Sequence, residues 1–303
     1  MKKIIYLLMS LSFVAFASCS DDKDNPVNNE NTRTENSNGG NGSNTGSNGD
    51  NSGNTSGDSN GNVSAVSVFK SGTQDGHDYV DLGLTSGTMW ATANVGAKTP
   101  QDYGNYYAWG ETTTKETYRW STYKYGTYDY DHDYSKLTKY NKSDNKTTLD
   151  LEDDAAYVNW GGKWRMPTRT QQDELYNQCY WVGTNSYNNS NVKGYIVYKA
   201  KNSDDKGKVI SEFAIRERGI MPSSDYSLSD AHIFLPAAGY RTDDLYAAGG
   251  FGFFWSSSLV TDRPNHAWYV YTHLEWVGND TYDYYYFGRY YGNSVRAVIP
   301  GNK

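Results

Sequence analysis

Hydrophobic and polar positions divide the 303 residues into three stretches of different character. Ile4 to Phe16 is apolar except for Ser10 and Ser12, follows Lys2 and Lys3, and runs into Ala17-Ser18. A run this short cannot cross ~30 Å of hydrocarbon, so residues 1–18 read as a secretory signal peptide rather than a membrane span. From Asn28 to Asn62 there is not one aliphatic, aromatic or sulfur-bearing residue. Such a segment cannot bury enough area to offset the backbone entropy of folding, and disorder is predicted for it. Residues 19–62 then act as a tether with a random-coil reach on the order of 30 to 40 Å. From Val63 onward aromatic and β-branched residues return. No repeat of 20 to 50 residues and no second low-complexity linker interrupts them, which predicts one domain over 63–303.

Inside that domain the pattern favours short strands separated by Gly, Asn, Asp and Ser. Strands are predicted at Tyr79 to Leu84, Thr88 to Ala93, Tyr106 to Trp109, Tyr195 to Lys199, Ile233 to Leu235, Ala267 to Thr272 and Val295 to Ile299. Helix signals are fewer. Met166-Pro167-Thr168 leads into "RTQQDELYNQC", where Thr168 and Gln171 fit a capping box. Gln172, Leu175 and Cys179 fall at helical spacing, so Cys179 is expected to be a small core residue. A second helix is predicted over Leu151 to Val158, with Glu152, Asp153 and Asp154 in a first turn whose dipole favours negative charge. The sum is an α+β domain dominated by antiparallel sheet.

Charge and cysteine content narrow the setting. Loss of Lys2 and Lys3 with the leader takes the formal charge from −7 to −9, and so acidic a surface repels phosphates and argues against nucleic acid. Phe16-Ala17-Ser18-Cys19 resembles a bacterial lipobox, in which the cysteine becomes the acylated first residue of the mature chain. Ser20-Asp21-Asp22-Lys23-Asp24 resembles the acidic tether of lipoproteins exported to the outer face of the outer membrane. Cys19 is therefore the expected lipid attachment site, with outer-membrane lipid as partner. With Cys19 acylated, Cys179 has no intrachain partner and the exported domain must rely on its core rather than on disulfides.

Motifs of known chemistry mostly fail on their spacing. Asp129, Asp131 and Asp133 alternate like a calcium loop, but Tyr134 and Tyr140 stand where an EF-hand needs Gly and Glu, and a solvated acidic turn is the simpler reading. His77, His132, His232, His266 and His273 show no zinc spacing. Ser256, Ser257 and Ser258 lack the GxSxG context, and strand serines usually satisfy neighbouring backbone groups. "AAGGFGFFW" has neither the spacing of a dinucleotide loop nor the Lys-Ser/Thr of a P-loop. Glu275, Asp280 and Asp283 lie among aromatics as glycosidase acids do, which keeps a carbohydrate-active enzyme as the alternative function. No metal or cofactor is expected.

The aromatics of the C-terminal region are the strongest remaining signal. "TYDYYYFGRYYG", Thr281 to Gly292, carries six tyrosines in twelve residues. Tyr combines an apolar face with a hydroxyl and few rotatable bonds, and so loses little entropy on binding. Period-two alternation in "HAWYVYTHLEW" sends Tyr269, Tyr271 and His273 to one side, and Trp276 closes the run. After the turn at Gly278-Asn279-Asp280, Tyr282, Tyr284 and Tyr286 again share a side. These strands predict an exposed patch of rings edged by Glu275, Asp283 and Arg289. The competing reading is a structural coat protein in which the same rings line a large core.

Six blocks carry a resemblance to a known family: "YVDLGLTSGTMWATANVGA" (79–97), "YGNYYAWGE" (103–111), "EDDAAYVNWGGKWRMPT" (152–168), "FLPAAGYR" (234–241), "FWSSS" (254–258) and "RYYGNSVRAV" (289–298). In this order they resemble the Fibrobacter succinogenes major paralogous domain family, exported proteins similar to the C-type-lectin-like fold. The resemblance implies antiparallel sheets with two short helices and long loops. Formylglycine-generating enzymes share that fold but need a cysteine pair, whereas this domain has Cys179 alone, so their activity is not carried over. Variable proteins of diversity-generating retroelements use the fold to display a ligand surface just before the C-terminus, which the segment between Ser258 and Ser294 resembles in placement. Lys201 to Ala231 reads as an insertion. The combined expectation is a lipid-anchored, cell-surface, monomeric and non-catalytic module that holds a glycan or a protein.

Overall fold

The first strands are short pieces that carry Thr73, Tyr79, Val80 and Trp90, and the first turns back into the second at left-handed Asp75-Gly76. A computed structural model describes residues 69–128, 133–274, 276–278 and 288–301, all within the compact unit Gly61–Lys303. Four strands lead: β1 (Gly72–Gln74), β2 (His77–Val80), β3 (Met89–Ala91) and β4 (Tyr106–Tyr107). Two helices follow, α1 (Ala155–Trp160) and α2 (Arg169–Gln178). Then come β5 (Cys179–Thr184), β6 (Gly194–Lys199), β7 (Val209–Ile210), α3 (Glu212–Arg218) and β8 (His232–Pro236). The C-terminal third holds β9 (Tyr240–Arg241), β10 (Leu245–Tyr246), β11 (Phe251–Leu259), β12 (Ala267–His273) and β13 (Trp276–Gly278). β14 (Asn293–Ser294) and β15 (Val298–Ile299) close the chain.

The strands group into sheets ordered β1-β2-β3-β15, β13-β12-β11-β14-β4 and β7-β5-β6-β8, plus the hairpin β9-β10. Pairing of β15 with β3 closes the first sheet with strands from the two ends of the unit. Most pairs are antiparallel, so the α+β, sheet-dominated class expected from the pattern is observed.

The helix starts follow from their caps. Thr168 accepts from Gln171 N while Gln171 Oε1 accepts from Thr168 N at 2.9 Å, so the reciprocal capping box is formed. Over the second predicted helix the chain forms a short 3-10 turn, Leu151–Asp153, before α1. The break arises because Asp154 is itself the cap. Its buried carboxylate accepts from Ala156 N, Tyr157 N and Met166 N, fixing the helix start to the chain that leads into α2. Cys179 is fully buried as expected, but it caps α2 and opens β5 instead of continuing the helix. The stretch read as an insertion contributes β7, which pairs in parallel with β5, and α3, capped by Ser211 and ended by left-handed Gly219.

Tyrosine builds much of the core. Tyr107, Tyr118, Tyr140, Tyr180, Tyr187 and Tyr195 are among the largest fully buried side chains. Their hydroxyls and those of neighbouring rings reach carbonyls of other segments: Tyr106 to Ala238 O, Tyr118 to Tyr106 O at 2.6 Å, Tyr123 to Trp109 O at 2.7 Å and Tyr195 to His273 O at 2.7 Å. A buried polar group needs a partner. Here that need ties separate parts of the chain together.

Candidate functional site: a half-exposed aromatic face

Strands β11 and β12 carry an aromatic ladder because period-two positions of both face the same side of the sheet. The register sets Trp255 opposite Tyr269, Phe253 opposite Tyr271 and Phe251 opposite His273. Ring centroids in these pairs lie 5.9, 5.1 and 4.3 Å apart. Val270 and Phe254 point the other way, into a separate core cluster with Trp181 and Leu235. Burial falls off along the ladder: Trp255, Tyr269 and Phe253 are interior, whereas Phe251, Tyr271 and His273 are half-buried.

The β9-β10 hairpin widens this face. Tyr240 packs edge-on to Phe253 at 5.2 Å and to Tyr291 at 5.5 Å, and stacks at 5.7 Å on Tyr246, its cross-strand partner. Tyr246 is 45% exposed. Gly239 seats the hairpin: its φ is +66°, and a Cβ there would come within 2.1 Å of Tyr246 O. The resulting surface presents the outer edges of Phe251, Tyr271, His273, Tyr240, Tyr246 and Tyr291 from a hydrogen-bonded framework. Rigid amphipathic rings of this kind suit stacking on an apolar ligand face while hydroxyls reach its polar rim.

Of the residues expected at a ligand site, the structure brings Tyr271 and His273 to this face. Tyr269 shares their side of the strand but is buried against Trp255, so its ring is packing. Arg289 is a correction. It is fully buried, near the Trp109 and Tyr123 rings, and Nη1 donates to Tyr140 O at 2.8 Å and Lys139 O at 3.2 Å. Burial lowers its pKa, and it does not stand at the edge of a surface. Trp276 opens the edge strand β13 opposite His273. Glu275, Tyr282, Asp283, Tyr284 and Tyr286 lie outside the described residues, as do Cys19 and Asp280. Phe251, Tyr240, Tyr246 and Tyr291 were missed, although the alternation Phe251, Phe253, Trp255 and the turn signal Thr242-Asp243-Asp244 were available.

Other candidate groups have structural partners. Ser256 Oγ donates to Trp268 O at 2.8 Å, Ser257 Oγ to Pro167 O at 3.4 Å, and Ser258 Oγ caps Arg169 N at 3.0 Å. These are the backbone roles expected of strand serines. His77 stacks on Trp160 at 3.8 Å, and His232 Nε2 lies 2.9 Å from Tyr187 Oη. His266 is held at about 4 by burial, then by Arg263 and Arg289. Asp133 accepts from Ser135 N at 2.9 Å, a local acidic turn; Asp129, Asp131 and His132 lie outside the described residues. Carboxylate oxygens of Asp150, Glu152 and Asp153 lie within 4.8 Å of one another, yet Lys139 contacts all three acids and Lys124 and Lys146 add further cations.

Comparison of the chain with protein-family models, with curated proteins and with solved structures finds no match. Among the described residues no helix is long and apolar enough to cross a membrane.

Proposed function

We propose that the chain is a surface lipoprotein whose C-type-lectin-like domain binds a glycan or a protein through its aromatic face, without catalysis. The observation that carries the reading is the half-exposed set Phe251, Tyr271, His273, Tyr240 and Tyr246 on one sheet-and-hairpin surface. Contact with a partner would remove these ring edges from water at roughly 25 cal/mol per Å² of apolar area buried. Stacking adds a geometric preference that suits sugar C–H faces and protein side chains. The leader, Cys19 and the polar tether support display away from a membrane.

The binding reading is tested by screening the full chain against a glycan array and a panel of immobilised surface proteins. A ligand bound by the parent should be lost at least tenfold by the double variant Tyr246→Ala, Tyr271→Ala, with near-parental unfolding. Retention of every ligand by that variant would remove the face from the proposal. Loss of stability with no ligand found would instead favour a coat protein, for which the buried Tyr269 and Tyr290 speak. The anchor is tested separately in a diderm bacterial host. Cys19→Ser should move the chain from the membrane fraction to a soluble one, and equal membrane recovery of both chains would rule out acylation at Cys19.

A further inference from the structure

On the opposite side of the β9-β10 hairpin from Tyr240 and Tyr246, Arg241 and Leu245 line an open cleft of about 610 Å³. That volume lies within the range of small-ligand sites. Tyr103, half-buried, and the buried Tyr106 and Tyr118 line it, with Asn105, Lys115 and Glu116 as polar neighbours. The cations around the cleft are not equivalent. Lys115 Nζ is 2.8 Å from Glu111 and donates to Thr122 O at 2.9 Å, and Arg119 is paired with Asp243 of the hairpin turn. Arg241 is half-buried, its guanidinium 5.8 Å from the Tyr106 ring centroid, and among the described residues no carboxylate stands within ion-pair distance of it. Its backbone is fixed on both sides: Arg241 N donates to Gly292 O at 2.7 Å, Gly292 N returns a bond at 2.9 Å, and Tyr118 N donates to Thr242 O at 3.0 Å.

A guanidinium presented from a fixed backbone beside tyrosine rings matches a ring-shaped ligand that carries a carboxylate. We propose that this cleft binds an acidic sugar residue of a glycan, a uronic or sialic acid, with Arg241 forking its carboxylate. The half-buried ring of Tyr103 offers an apolar wall for a C–H face of the sugar, backed by the buried Tyr106 and Tyr118. Asn105 and Glu116 offer acceptors for its hydroxyls, Glu116 from an exposed position at the mouth. The planar fork favours a carboxylate over a neutral hydroxymethyl group at the same position. The site rests on the reading of the domain as a binding module but uses residues that the aromatic face does not.

The test is calorimetric titration of the full chain with galacturonate, glucuronate and sialic acid oligosaccharides, each beside its carboxyl-reduced form. At least one acid sugar should bind, its reduced form about tenfold or more weaker. Arg241→Gln should cause a similar loss, and Arg241→Lys should restore it only in part. The double variant Tyr246→Ala, Tyr271→Ala should bind the acid sugar as the parent does. If that double variant loses the sugar, the aromatic face holds it and the cleft assignment fails while the binding reading stands. Equal affinity for acid and reduced forms overturns the proposal without reference to any variant. So does unchanged affinity in folded Arg241→Gln, failure of all three acid sugars, or capture of an acidic peptide in their place.

Discussion

Replacing Arg296 with methionine is expected to lower the unfolding free energy by about 4 kcal/mol, the scale for stripping a buried charged group from its partners. The side chain is almost wholly buried. Nε donates to Asn94 Oδ1 at 2.9 Å, Nη1 to Ala91 O and Thr92 O at 3.1 Å each, and Nη2 to Phe234 O at 2.8 Å. Ala91 ends β3 and Phe234 lies in β8, so one guanidinium joins two sheets that do not pair with each other. Burial presses its pKa down to about 9, which still leaves it charged at neutral pH. Methionine fits the aliphatic stem but abandons three carbonyls and an amide oxygen in the interior. Lysine keeps the charge without the fork and should recover less than half of the loss. Urea unfolding monitored by tryptophan fluorescence would measure both, and a decrease under about 1 kcal/mol for Arg296→Met would contradict this account.

Local signals in the chain were legible where they are self-contained. The α2 capping box needs only Thr168, Gln171 and the backbone between them, and it forms as expected. Alternation in β12 likewise separates Tyr269, Tyr271 and His273 from Val270. Strand β5 was hidden because Cys179 follows the helix period of Gln172 and Leu175, which masked the strand signal of Tyr180-Trp181-Val182 directly after it. Most of β11 is buried on both sides; Phe251, Phe253 and Trp255 alternate, but Phe254 between them is apolar too, so the pattern does not say which side faces out.

Rings and charges were harder still, since their environment is set by residues far away in sequence. The hydroxyl of Tyr106 finds Ala238, 132 positions on. Arg289 finds its carbonyl at Tyr140, 149 positions back. A buried hydroxyl needs such a partner, and composition does not say which tyrosine finds one. The candidate face was therefore half legible. Its β12 residues followed from alternation, whereas Tyr240 and Tyr246, and Arg241 of the cleft on the hairpin's other side, depend on where a hairpin settles against β11 and the segment before β14.

Asp153→Ala is expected to destabilise the domain by about 3 kcal/mol, because the carboxylate is the shared acceptor of two buried hydroxyls and two ammonium groups. Tyr125 Oη and Lys124 Nζ meet Oδ1, the latter at 3.1 Å, while Lys139 Nζ and Tyr140 Oη meet Oδ2 at 2.6 and 2.7 Å. The lysines can turn to water, but Tyr125 and Tyr140 are buried and their hydroxyls would lose this acceptor. Burial alone would raise the Asp153 carboxyl. Lys139, Tyr125, Tyr140 and Lys124 outweigh it and hold the group at about 2, below its ordinary 3.8. A depressed carboxyl stabilises the fold above the unfolded pKa, and that contribution disappears as pH falls from 3.8 through about 2. Asp153→Asn has no proton to gain there, so the stability gap between parent and variant should be widest near neutrality and should narrow on acidification to pH ~2. Urea titrations at both ends of that range measure it. A gap that stays constant with pH would mean that Asp153 acts through its shape rather than its charge. The same carboxylate explains why the acids at 150, 152 and 153 do not form an open cation site: lysine ammonium groups and phenolic hydroxyls already supply the positive charge and the donors that an ion would have to displace.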